Sequence, residues 1–173
     1  MKYALANTII IFIGLVFYTF LINYIVIHVD LAWLQNAEAL AVFSAQSWIG
    51  INASFNQTLT AISYANPAFE MQIIALCTGI SELVFFTFLV LLFRGPSWRT
   101  KGKGLAIFLP VIFIINIIRL LMIYPLALWF GVQAMWDIHW FIWKYGMLAV
   151  LLALFSAWYL LFAEKEMRTS MKR

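Results

Sequence analysis

The chain is patterned as long apolar stretches separated by short polar ones. Four stretches, at 7–29, 71–93, 105–130 and 140–163, are continuous enough to read as membrane-crossing helices. Each can cover a hydrocarbon core of roughly 30 Å, which takes about 20 helical residues. Pro110 and Pro125 fall inside the third, so it is expected to kink or to end near Tyr124. Between the first and second stretches the pattern changes. Residues 31–51 carry Leu34, Ala37, Ala41, Ser44 and Trp48 at helical spacing, and Trp33, Phe43 and Trp48 suit a helix lying in the membrane interface. Residues 52–67 are more polar, with a weak alternation over 57–64 that reads as a loop or short hairpin. The first stretch is too long for a signal-peptide core, and no small-residue cleavage site follows it.

Composition turns this pattern into a class. Of 173 residues, 65% are hydrophobic and 10% charged, whereas a soluble domain carries about 25% charged residues. The expectation is one membrane domain over 1–173. Charge placement then orients it. Lys2 precedes the first stretch, Arg94, Arg99, Lys101 and Lys103 separate the second from the third, and Lys165, Arg168, Lys172 and Arg173 follow the fourth. Residues 30–70 hold no Lys or Arg but contain Asp30, Glu38 and Glu70. The positive-inside rule puts both termini and the 94–103 loop in the cytoplasm. The expected fold class is an all-α integral membrane protein of about four transmembrane helices plus an outer interfacial helix or loop. The expected location is the plasma (inner) membrane. Basic residues divided among cytoplasmic ends leave no nucleic-acid footprint. Trp129, Trp136, Trp140 and Trp143 crowd the outer end of the last hairpin, as an aromatic belt would.

The candidate chemistry gathers at one depth. Cys77 is the single cysteine, so no intramolecular disulfide forms and the thiol is free. At 1.5 Å rise per residue, Cys77 lies roughly 25 Å from the cytoplasmic boundary at Arg94, and Arg119 roughly 22 Å from that at Gly104. His139 falls a turn or two above, at the outer mouth of the fourth stretch. Ser81 shares the helix face of Cys77, and Asn116 that of Arg119. Glu82 and Asn116 fall together at roughly 18 Å. A carboxylate there is costly, so Glu82 is expected to pair with Arg119 or Asn116 or to hold a proton. Asp137 reads as a cap of the fourth helix before it reads as a partner of His139. Lys144 is expected to snorkel outward, and His28 and Asp30 to lie at the interface.

These residue types suit nucleophilic catalysis. A thiol attacks as thiolate, and burial raises its pKa. A nearby arginine favours the thiolate or steadies a developing oxyanion. An imidazole can take the thiol proton and return it to a leaving amine. Each residue also has an ordinary reading. A lone membrane cysteine is usually a packing residue, and an arginine near a helix end usually reaches for headgroups. Arg119 is the stronger signal, because it lies inside the core on the side that the positive-inside rule depletes. The rival reading is a non-enzymatic assembly partner, or a small ion or proton carrier built on a buried Arg119–Glu82 cluster.

Ala75-x-Cys77-x-Gly79-Ile80, then Asn116-x-x-Arg119, then His139 before the last stretch, resemble the exosortase/archaeosortase family over residues 71–146. The histidine in third place is more like the bacterial exosortase branch, and the chain looks like a compact member. The resemblance implies a multi-pass membrane cysteine transpeptidase with Cys77, Arg119 and His139 as catalytic residues. Ser81, Asn116 and Glu82 would support them. Implied partners are exported proteins with a C-terminal motif, a transmembrane helix and a basic tail, and a lipid or glycan acceptor. The implied site lies near the outer leaflet. No cofactor is implied. Two His and one Cys, far apart in sequence, make a poor metal set.

Overall fold

The computed structural model describes residues 2–170. Lys172 and Arg173, part of the charge argument, lie outside the described residues. Helix α1 (Lys2–His28) is followed by α2 (Ala32–Trp48) at an 85° bend. The Asp30 carboxylate accepts from the Ala32 amide at 2.9 Å and so marks the start of α2. The buried residues of α2 are Glu38, Ala39, Val42 and Gln46. That stripe is rotated from the expected one: Ala37 and Ala41 face out, and Trp48 is 92% exposed. Glu38 and Gln46 point inward instead, and each meets a partner there. Tyr64 donates to the Gln46 amide oxygen at 2.7 Å.

The fold is not all-α. A three-stranded antiparallel sheet, in the order β1 (Ala53–Asn56), β2 (Ala61–Ala65), β3 (Ala68–Gln72), follows α2. Ile62 faces Met71 and Tyr64 faces Phe69 across the second pair. One sheet face packs Ile62, Tyr64, Met71 and Ile73 onto α2 and onto Leu120, Ile123, Leu126, Ala127 and Met135.

The expected second span is therefore divided. Met71 ends up in a strand, Cys77 in a 3-10 turn (Ala75–Cys77), and only α3 (Ile80–Leu92) is helical. Hydropathy summed over a window is blind to period, and here the buried residues Met71 and Ile73 alternate with the exposed Gln72 and Ile74. Gly79 ends the irregular stretch in the left-handed region, at φ +67. A helix of 13 residues rises ~20 Å, about two thirds of a bilayer core.

Ser97 caps α4 (Trp98–Leu121), its hydroxyl accepting from the Thr100 amide. A break at Met122 leads into α5 (Ile123–Phe130). Pro125 has no amide proton for the preceding turn, and the interruption falls three residues before it, with Trp98–Phe130 otherwise one continuous helix. The last helix starts earlier than expected. It runs as α6 (Val132–Phe141), a π-helical turn (Ile142–Gly146), α7 (Met147–Trp158), a second π turn (Tyr159–Ala163) and α8 (Glu164–Ser170). Its first helical residue is Val132, so Asp137 and His139 lie within helix and Asp137 does not cap it.

Among the described residues, two continuous helices are long and apolar enough to cross a membrane, Trp98–Phe130 and Val132–Arg168. The bent pair of α1 and α2 makes a third candidate. Helix α3 packs against α1, α4 and α7, and α4 against α7. The core between them is Phe86, Val90, Phe108, Ile112, Leu151 and Trp158. Gly104 lets α4 approach closely, since a Cβ there would overlap the Trp158 ring. At the end of the bundle away from the sheet, Lys101 donates to the Leu91 carbonyl at 2.6 Å, and the Ser97 amide donates to Glu166 at 3.1 Å.

Candidate active site

The break ahead of α3 positions Cys77. Non-helical backbone at membrane depth is tolerated where protein groups satisfy it or where it lines a cavity, and both hold here. The Cys77 carbonyl accepts from Asn116 Nδ2 at 2.9 Å and from Arg119 Nη2 at 3.0 Å. The i, i+3 spacing of Asn116 and Arg119 on α4 aims both at this one oxygen. Gly79 keeps the approach close: a Cβ there would stand 3.0 Å from Asn116 Cγ. Motif residues at 77, 79, 116 and 119 thus form one interlocked unit.

Cys77, Arg119 and His139 line a single cavity of about 450 Å³, together with Gln72, Ile74, Leu76, Trp136, Asp137, Trp140 and Trp143. The size falls in the usual range for ligand sites. A second, apolar cleft of about 240 Å³ lies among α4, α5, the π turn and α7, and also reaches Arg119 and His139. Cys77 and His139 are each partly buried. Attack as thiolate needs a base, and His139 and Asp137 are the titratable bases that line the cavity with Cys77.

Ser81 and Glu82 sit at the start of α3, beyond the turn, so Ser81 does not share a helix face with Cys77. Ser81 donates to one Glu82 oxygen, and Trp143 Nε1 donates to the other at 3.2 Å. Glu82 is therefore paired with Ser81 and Trp143. Among the described residues no ion pair joins it to Arg119, and Asn116 donates elsewhere. Lys144 lies 4.7 Å from the Trp140 ring centre.

Two contributors escaped the sequence reading. Glu38, counted only as an outer charge, is 1% exposed and accepts from Asn116 Nδ2 at 3.4 Å. Its other oxygen, Oε1, is buried without a partner. Burial pushes its carboxyl up to about 7, with Arg119 lowering it and Glu82 raising it. An acidic residue in the middle of an amphipathic apolar stretch was the available signal. Trp143, assigned to an aromatic belt, is turned inward by the π turn onto Glu82, and its ring lies 6.0 Å from the Arg119 guanidinium. Single-turn π-helical insertions cluster at functional sites, but nothing in the local sequence announces this one.

A family model described as transmembrane exosortase (Exosortase_EpsH) matches residues 3–159. No curated protein and no solved structure matches the chain.

Proposed function

The chain belongs to the transmembrane exosortase family, and on that footing we propose that it is a membrane cysteine transpeptidase or peptidase. Its substrates are exported proteins ending in a short motif, a transmembrane helix and a basic tail. Such a tail stops in the bilayer with its motif at the outer surface, the side to which the positive-inside rule assigns the sheet end of this bundle. The observation that carries the reading is the common cavity lined by Cys77, Arg119 and His139.

In the proposed reaction His139 takes the Cys77 proton as the sulfur attacks the scissile carbonyl carbon. A carbon–sulfur bond forms, and the carbonyl oxygen takes up the negative charge beside the Arg119 guanidinium. Collapse breaks the carbon–nitrogen bond, and His139 returns the proton to the departing amine. A hydroxyl or amine acceptor, or water, then attacks the thioester and restores the thiol. Asn116, itself donating to Glu38, holds the Cys77 carbonyl while this happens.

Co-expression with a tripartite-tail substrate tests the reading. Cys77→Ser and Cys77→Ala are expected to abolish processing, with membrane insertion and folding retained. Normal processing by either variant rules out covalent catalysis by Cys77.

A further inference from the structure

Strand β3 is an outer strand of its sheet. Among the described residues, β2 is its only strand neighbour. The Ile73 amide donates to the Thr60 carbonyl at 3.0 Å. In an antiparallel ladder, hydrogen-bonded pairs alternate along the strands. Residues 69 and 71 therefore face β2, and residues 68, 70 and 72 turn their amides and carbonyls to the open edge. Ala68, Glu70 and Gln72 are exposed. A strand edge with unpaired backbone groups is a template for another extended chain. This one leads into the candidate active site: Gln72, its last residue, and Ile74 just beyond line the cavity that holds Cys77. Ile74 and Leu76 add exposed apolar surface along the path, 48% and 37% accessible, and line the cavity together with Trp136 and Trp140. The other edge of the sheet, along β1, borders a separate hollow at Asn52, Ala53 and Ser54.

We infer that the open edge of β3 is the docking site for the sorting segment of the substrate, which adds as a fourth, extended strand and delivers its scissile bond to Cys77. The inference rests on the proposed cysteine chemistry. Strand addition draws affinity from main-chain hydrogen bonds and leaves specificity to alternate side chains. It also explains why this protein carries a small sheet at the mouth of a helical bundle. An extended segment exposes its scissile carbonyl, whereas a helical one would hold that oxygen in an internal hydrogen bond.

Disulfide mapping decides the matter. Glu70→Cys is placed in a Cys77→Ala background, and single cysteines are walked through the substrate residues preceding the cleavage point. Strand addition gives adducts at every second substrate position, at least about tenfold above the intervening ones, because side chains alternate with period two. Adducts at no position, or equally at all positions, overturn the inference. So does a disulfide homodimer joined at position 70 in place of the substrate adduct, which would assign the edge to a second copy. Kinetics give a second arm in the Cys77 protein. Glu70→Pro deletes one outward amide, a change that edge strands tolerate. It is expected to raise KM at least about tenfold with kcat within threefold, while Ala53→Pro on the opposite edge leaves KM unchanged. Unchanged KM in Glu70→Pro counts against the inference. Continued processing by Cys77→Ala would instead remove the catalytic reading beneath it, so the two failures are separable.

Discussion

Arg119 holds the Cys77 carbonyl through one Nη, while its Nε is buried without a partner. A lysine could supply a charge near the thiol but could not grip the carbonyl and an oxyanion through one planar group. Arg119→Lys is therefore expected to lose about 100-fold or more in processing rate, the scale for losing an oxyanion donor. Asn116 still holds the turn, so thermal unfolding should change little. Substantial activity in Arg119→Lys would reduce the role of the guanidinium to that of a point charge. Glu38 makes a different prediction. Its carboxyl has an ordinary value of 4.5 and is raised to about 7 in the fold, chiefly by burial. The folded state thus binds the proton more tightly, and stability falls as pH rises through that window. Melting temperature in detergent should drop between pH 5 and pH 7.5, and Glu38→Gln should flatten the slope. A slope of the opposite sign, or an unchanged slope in Glu38→Gln, would show that Glu38 does not hold that proton. At this scale Cys77, Arg119, His139 and Asn116 were legible because each type is rare or costly at membrane depth. Glu38 was not, since its partner lies 78 residues away on another helix.

The elements around the site were legible where one period ran unbroken and hidden where periods met. The presence of helix α2 and of a long last helix followed from apolar spacing and length, but the buried face of α2 and the start of the last helix at Val132 did not. Nor did the stretch 71–93, because a strand, a turn and a short helix in succession are together as apolar as one span. Gly79 is the joint that makes the division possible. At φ +67 an alanine costs about 1–2 kcal/mol in backbone strain alone. Its Cβ would also press on the Asn116 amide that holds the Cys77 carbonyl. Gly79→Ala is expected to lower unfolding free energy by at least about 1 kcal/mol and to cut processing more than stability explains. Retained wild-type activity and melting temperature would show that the left-handed joint is dispensable. The π turn at Ile142–Gly146 was equally hidden.

At the scale of the molecule, the shortness of α3 and the position of the sheet belong together. Helices α1, α4 and α7 are packed around a partner that rises only ~20 Å. The remaining third of its column is taken by the turn of Cys77, the cavity and the sheet above it. In the proposed reaction a substrate helix stopping in the bilayer meets the thiol from one side only, so the proposal depends on the orientation of the chain. Nine of the eleven Lys and Arg residues lie at the ends assigned inside, Arg119 and Lys144 being the other two. The expected topology follows from that bias. Reporter fusions at Lys103 and Arg173 should read cytoplasmic, and a fusion at Gln57, in the turn between β1 and β2, should read external. A cytoplasmic reading at Gln57 would put the sheet and the Cys77 cavity on the side where the basic tail of a tripartite signal resides. The motif of such a substrate could then never meet the thiol, and the catalytic proposal would fail regardless of how the cavity is lined.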